Sequence, residues 1–179
     1  MRKYLVICAL VAAVPGFASA QGTTSVGPDT GDREFTLSGT GTSDKDFDNS
    51  SFGVSADLGW FRSAQLVLGI RQSLNFADIE GEDLNDDFWN GSTRGYVDYH
   101  FGQGPARPFV GASLGGVYGD GVNDGGFAGL ELGLKYYALE KTFILARAEY
   151  QFFFDSSDDA NDNFDDGAWA YVFGIGFNF

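Results

Sequence analysis

From Ala168 to Phe179 large and small side chains alternate without a break. Trp169, Tyr171, Phe173, Ile175, Phe177 and Phe179 are separated by Ala170, Val172, Gly174, Gly176 and Asn178. A period of two is the signature of a β-strand. Neither face carries a charge. A soluble barrel would place Lys or Glu on its wet face; a strand whose bulky side chains touch lipid, and whose small ones line a packed interior, would not. Seven earlier segments follow the same rhythm, at 33–43, 51–61, 65–76, 91–101, 108–118, 126–138 and 142–154. Each is near the ~9–11 residues that a tilted strand needs to cross a bilayer. The connections alternate in character. Those at 62–64, 102–107 and 139–141 are short, whereas 44–50, 77–90, 119–125 and 155–167 are longer and acidic. The pattern predicts an all-β, eight-stranded antiparallel up-and-down barrel in a membrane, with short periplasmic turns and longer acidic extracellular loops.

The alternation also assigns faces. Outward fall Val54, Ala56, Leu58 and Trp60 of the second segment, Leu66, Leu68, Ile70 and Leu74 of the third, and Leu130, Leu132 and Leu134 of the sixth. Aromatics gather at segment ends. Trp60, Tyr99, Phe101, Tyr136 and Phe179 mark the turn end, and Phe52, Phe76, Tyr118, Phe154 and Trp169 the loop end. Two such girdles are expected at the two membrane interfaces. Two places fit poorly. Gln72 falls on the lipid face, a cost that a bulge would relieve by shifting the register. The first segment, with Phe35, Leu37, Gly39 and Gly41 outward, is only weakly apolar.

Targeting signals change the picture at the N-terminus. Met1-Arg2-Lys3 followed by the apolar run Tyr4–Val14, a Pro15-Gly16 break and Ala18-Ser19-Ala20 reads as a secretory signal removed after residue 20. The one cysteine, Cys8, lies inside it, so residues 21–179 contain none and no disulfide can brace them. No stretch reaches the ~18 apolar residues of a membrane-spanning helix, and only helices and closed barrels cross lipid. Residues 21–32, rich in Gly, Thr, Ser, Pro and Asp, read as a flexible lead-in, and 33–179 as one barrel domain. Net charge is −14, from 11 Lys and Arg against 25 Asp and Glu. That balance excludes nucleic acid as a partner, which requires clustered cations.

The terminal Phe179, the alternating aromatics before it, the signal sequence and the eight segments resemble the small outer-membrane β-barrel family of the OmpA-barrel and OmpX type. The resemblance spans residues 21–179 at the level of pattern. It implies a location in the bacterial outer membrane among lipid and lipopolysaccharide. It also implies that Tyr171, Phe173, Phe177 and Phe179 form the assembly signal read by the barrel-assembly machinery. The peptidoglycan-binding domain of larger members is expected to be absent, because the sequence stops at Phe179.

Candidate chemistry sits in two places. The inward face collects Asp57, Asp98, Glu131 and Glu149 against Arg71, Arg94, Lys135 and Arg147, four acids and four bases. Unpaired charges there would cost several kcal/mol each, so a salt-bridged plug is expected, with an ion-passing gate as the alternative. The loops collect the surplus acid: Asp78, Glu80, Glu82, Asp83, Asp86 and Asp87 in one, Asp155, Asp158, Asp159, Asp162, Asp165 and Asp166 in another. Clustered carboxylates of this kind suit oxygen-loving divalent cations, with Asp158, Asp159, Asp162, Asp165 and Asp166 the candidate ligands, although the spacing is not that of an EF-hand. The alternatives are a solvated, self-repelling surface or a specific protein ligand. The only histidine, His100, is predicted at the turn end with no serine beside it. Eight-stranded lipid A deacylases and palmitoyltransferases pair His with Ser at the outer leaflet, the opposite end. No enzyme, no cofactor and no nucleophile motif is therefore expected. The expected role is structural: envelope integrity and presentation of acidic loops. A narrow pore, a soluble periplasmic binding barrel and a lipid-modifying enzyme are the competing readings.

Overall fold

The computed structural model describes residues 26–44, 50–77, 88–119, 125–154 and 167–179, with backbone only at 42–44, 50–52, 76–77 and 88–89. The signal sequence and the acidic clusters at 78–87 and 155–166 lie outside the described residues. Eight strands run in chain order: β1 (Arg33–Asp44), β2 (Ser50–Phe61), β3 (Leu66–Ala77), β4 (Phe88–His100), β5 (Ala106–Gly119), β6 (Gly125–Tyr137), β7 (Thr142–Phe154) and β8 (Gly167–Asn178). Each pairs antiparallel with its neighbours, and β8 returns to β1 to close the barrel. Closure removes every open edge, which is what lipid demands of a sheet.

The alternation becomes inside and outside. On β1 Thr36, Ser38 and Thr40 are buried while Phe35 and Leu37 are exposed. On β8 Ala170 and Val172 are buried, whereas Phe173 and Ile175 are 69% and 64% exposed. A water-soluble protein would not leave such side chains in a continuous belt; a bilayer covers them. Tyr99, Phe101, Tyr136, Phe177 and Phe179 ring the turn end, and Tyr118 and Phe154 stand near the loop end. Side chains of Phe52 and Phe76 lie outside the described residues.

Two strand starts differ from the sequence pattern by more than one residue. β4 begins at Phe88 rather than 91, because its ladder follows β3 as far as Ala77↔Phe88 even where apolar alternation has stopped. β5 begins at Ala106 rather than 108, paired with Tyr136. Gln72 needs no bulge. The register passes evenly through Ala56↔Gln72↔Thr93. Its amide is instead satisfied on the lipid face, donating to the Tyr118 hydroxyl at 2.7 Å and accepting from Thr93 at 2.6 Å. Three polar side chains thus solvate one another in place of water.

The described part of the lead-in, residues 26–32, is not a free tail. Gly27 N donates to Glu140 O at 2.7 Å, Gly31 N to Phe61 O at 2.9 Å, and Phe61 N to Asp32 O at 2.8 Å. Val26 packs against a buried cluster of Phe109, Tyr137, Phe143, Leu145 and Val172. Composition suggested mobility; partners far along the sequence fix the segment across the turn-side mouth.

Candidate functional site: the charged lumen

The inward positions of eight strands converge on one lumen, which in a barrel of this strand number is narrow. At mid-depth four of them close a ring. Arg71 reaches Asp57 at 2.9 Å and Glu131 at 2.9 Å; Arg147 reaches the same two carboxylates at 3.0 and 3.3 Å. Two guanidinium groups therefore bridge two carboxylates, each pair contributed by strands on different sides of the barrel. All four are buried. The planar fork of arginine suits this double engagement, where a lysine point charge would not.

Beside the ring, Glu149 accepts from Ser113 at 2.7 Å and pairs with Arg94 at 3.3 Å, with Arg71 at 3.7 Å. Arg94 also lies over the Phe127 ring, and Arg71 over Tyr96. Nearer the turn end Lys135 pairs with Glu34 at 2.5 Å, and Glu34 also accepts from Asn178, itself bonded to the Tyr137 hydroxyl. Phe61, Phe109 and Phe143 surround the Lys135 ammonium. Toward the loop end Thr40, Asn75 and Asn90 form a hydrogen-bonded chain.

Of the eight lumen charges expected from sequence, seven enter ion pairs. Asp98 is buried but has no cationic partner within ion-pair distance among the described residues. Glu34 was missed, although it is in phase with Thr36, Ser38 and Thr40 on β1 and could have been found by that alternation. His100 is buried between Phe61 and Phe109, ring centroids 5.7 and 5.3 Å away, with Nδ1 3.2 Å from Gln65 O. The proposed cation ligands Asp158, Asp159, Asp162, Asp165 and Asp166 lie outside the described residues. Tyr171, Phe173 and Phe177 alternate with the buried Ala170 and Val172 and with Asn178 on β8, and Phe179, the residue after the strand, is exposed.

At the turn-side mouth sits Arg107, also missed by sequence reasoning because it reads as a turn residue. Its guanidinium donates to backbone carbonyls of Ala64, Gly104, Gln103 and Val26, tying two turns to the lead-in. Lys141 holds the strap from outside, 2.6 Å from Asp32 and 3.2 Å from Asp29. Partial burial works against the Asp32 carboxylate, but the Asp29 backbone N–H and the Lys141 ammonium outweigh it and hold its pKa below the usual carboxylate range. The Asp32 carboxylate, with Asp29 behind it, raises Lys141 in turn.

No protein-family model matches the sequence, and no curated protein matches it. Solved structures do match in shape. OprG of Pseudomonas aeruginosa superposes with a TM-score of 0.63 at 12% identity, over 86% of this chain and 98% of its own. Neisserial surface protein A gives 0.60 at 16% identity, over 83% and 96%. Ail, the attachment invasion locus protein of Yersinia pestis, gives 0.53 at 15% identity, over 84% and 99%. At such identities the likeness speaks for the fold, and together with the apolar exterior it is decisive there: the chain is a small eight-stranded β-barrel of the outer-membrane type.

Proposed function

We propose that this barrel is a structural component of the outer membrane, bracing the envelope and presenting acidic loops at the cell surface, with a lumen that stays shut. The observation that carries the reading is the Arg71–Asp57–Arg147–Glu131 ring, which spans the lumen at mid-depth above Arg107. Breaking into such a ring strands a buried charge, so it resists rearrangement. Planar-bilayer recordings on refolded protein test it. The expected result is no steady conductance; regular single-channel steps would establish the narrow-pore reading instead. That second reading draws support from lumen atoms without a hydrogen-bond partner among the described residues, Arg71 Nη2, Arg94 Nε and Glu149 Oε2, which water could bridge.

Against a lipid-modifying enzyme stands the placing of His100, which is bonded to a backbone carbonyl between two phenyl rings, with no serine contact among the described residues. A soluble periplasmic barrel is opposed by the exposed belt that includes Leu37, Leu114, Phe173 and Ile175. As for surface partners, Ail has been solved with the heparin analogue sucrose octasulfate, a polyanion. A net charge of −14 makes a polyanion a poor direct partner for this chain. Divalent cations bridging the loop carboxylates to lipopolysaccharide phosphates fit better. Calcium titrated into refolded protein in neutral detergent should give a saturable heat signal and protect residues 155–167 from proteolysis.

A further inference from the structure

The barrel register aligns Val67, Asp98, Gly111, Glu131 and Glu149 in one inward row across β3 to β7. Gly111 stands between the two carboxyl residues Asp98 and Glu131. It has no side chain to hold them apart, and the Asp98 carboxyl leans into the place its Cβ would take. The Asp98 and Glu131 carboxyls consequently meet in hydrogen-bonding contact. Both residues are buried, at 2% and 4% exposure. Asp98 Oδ1 and Glu131 Oε1 each lack any donor among the described residues. Ionised carboxylates only accept hydrogen bonds, so two of them in contact require a proton between them.

The ion pairs point to the same place. The Arg71–Asp57–Arg147–Glu131 ring is neutral, Arg94 is paired with Glu149, and Lys135 is paired with Glu34. Asp98 is the lumen carboxyl without an ion-pair partner among the described residues, because the fifth buried cation, Arg107, is spent on backbone carbonyls at the turn-side mouth. The buried charged and titratable groups that share the lumen with the pair are Arg71 from β3, Lys135 from β6, Arg147 and Glu149 from β7, Asp57 from β2, Glu34 from β1, Arg107 from β5, and Arg94, Tyr96 and His100 from the same strand as Asp98. Beside the pair, β5 presents Gly111 and β8 presents Ala170. None of the cations forms an ion pair with Asp98 among the described residues.

We propose that Asp98 and Glu131 form a proton-binding site, holding one proton between their carboxyls over Gly111, and that this proton keeps the charges at mid-depth balanced. The site rests on the closed-lumen reading only for its consequence, not for its existence. With the proton bound, the acids and bases at mid-depth balance and the ring has no reason to open. Without it, a second negative charge stands beside Glu131 and competes for Arg71.

Difference infrared spectroscopy of refolded full-length protein in vesicles, followed through a pH titration, tests the site. The carbonyl band of a protonated carboxylic acid should be present at neutral pH, shift when aspartate carboxyls are labelled with ¹³C, and vanish in alkali. Asp98→Asn keeps a donor toward Glu131 and should abolish the band, while its unfolding midpoint ceases to fall as pH rises. Absence of the band from wild-type protein at neutral pH, or a band indifferent to the label, would overturn the proposal without any variant having to fold. A wild-type midpoint that depends on Na⁺, K⁺ or Ca²⁺ at fixed pH but not on pH itself would assign the place to a metal cation and overturn it too. Conductance at neutral pH, measured separately, bears on closure alone.

Discussion

Gly27 lies directly against the guanidinium of Arg107, with no room for a Cβ between them, and its φ of +98° is one that residues with side chains rarely adopt. The two residues therefore interlock: the strap approaches the mouth closely enough for Val26 O to accept from Arg107 only because position 27 is bare. Gly27→Ala should displace the strap while leaving the barrel wall folded. Conformation alone costs about 1 kcal/mol or more. Limited proteolysis within 26–32, with unchanged heat-modifiable gel mobility, is the expected outcome.

Removing one member of the mid-lumen ring should cost far more than removing a balanced pair. Arg147→Ala leaves Asp57 and Glu131 sharing Arg71 alone, an expected loss of about 3–5 kcal/mol in unfolding free energy. Arg147→Met combined with Glu131→Leu leaves Asp57 with Arg71 and Glu149 with Arg94, so the double variant should be more stable than Arg147→Ala. Urea unfolding in vesicles measures both. Equal losses would show that the ring is not the unit of stability.

The outer latch should respond to pH from both sides. Asp32, with its pKa lowered, contributes stability that is present above the ordinary carboxylate range and is lost as pH falls through the lowered value. Lys141, with its pKa raised, contributes stability that is complete below the ordinary lysine range and is lost as pH rises through the raised value. The strap should hold best between about pH 5 and 9. Because the pair is solvent-facing, the effect is about 1 kcal/mol at most. Amide hydrogen exchange at Gly31 and Phe61 reports it, and Lys141→Met should flatten the profile.

On the lipid face, Gln72→Leu and Tyr118→Phe should act in opposite directions. Leucine removes the polar intruder and leaves Thr93 and Tyr118 bonded to each other, 3.1 Å apart, so stability should hold or rise. Phenylalanine leaves the Gln72 amide without its nearest acceptor in hydrocarbon, at a cost of about 1 kcal/mol or more. Unfolding midpoints in vesicles of the two variants decide the sign.

Phe179→Ala separates assembly from stability. The backbone pair between Phe179 and Arg33 survives the substitution, so refolding from urea should be nearly normal. If the outward aromatics of β8 are read during assembly, the folded amount recovered from cells should nonetheless drop.

The strands were legible in the sequence because lipid imposes one rule on every residue of the wall. Outward positions must be apolar and charges must point in, as Phe173 shows on β8 and as Leu130 and Glu131 show on β6, while inward positions also accept apolar groups such as Val172. What the sequence withheld depends on offsets between strands. Nothing within β4, β5 or β6 alone says that Asp98, Gly111 and Glu131 fall in one row; that is a property of the closed register. The strap was hidden for a related reason. Its Gly- and Asp-rich composition is that of a loop, and its order comes from Arg107, Glu140 and Lys141.

Arg33 and Phe179 exchange both backbone hydrogen bonds, at 2.8 and 2.9 Å, and β1 pairs with β8 along its length. This seam sets the order of events in biogenesis. β1 is made first yet finds its second neighbour only after the final residues emerge, so the cylinder has no native partial form. Until then two sticky borders stay open, each able to pair with a foreign strand. Zipping shut across so long a stretch of sequence is intrinsically slow. The wall is accordingly complete only when β8 meets β1.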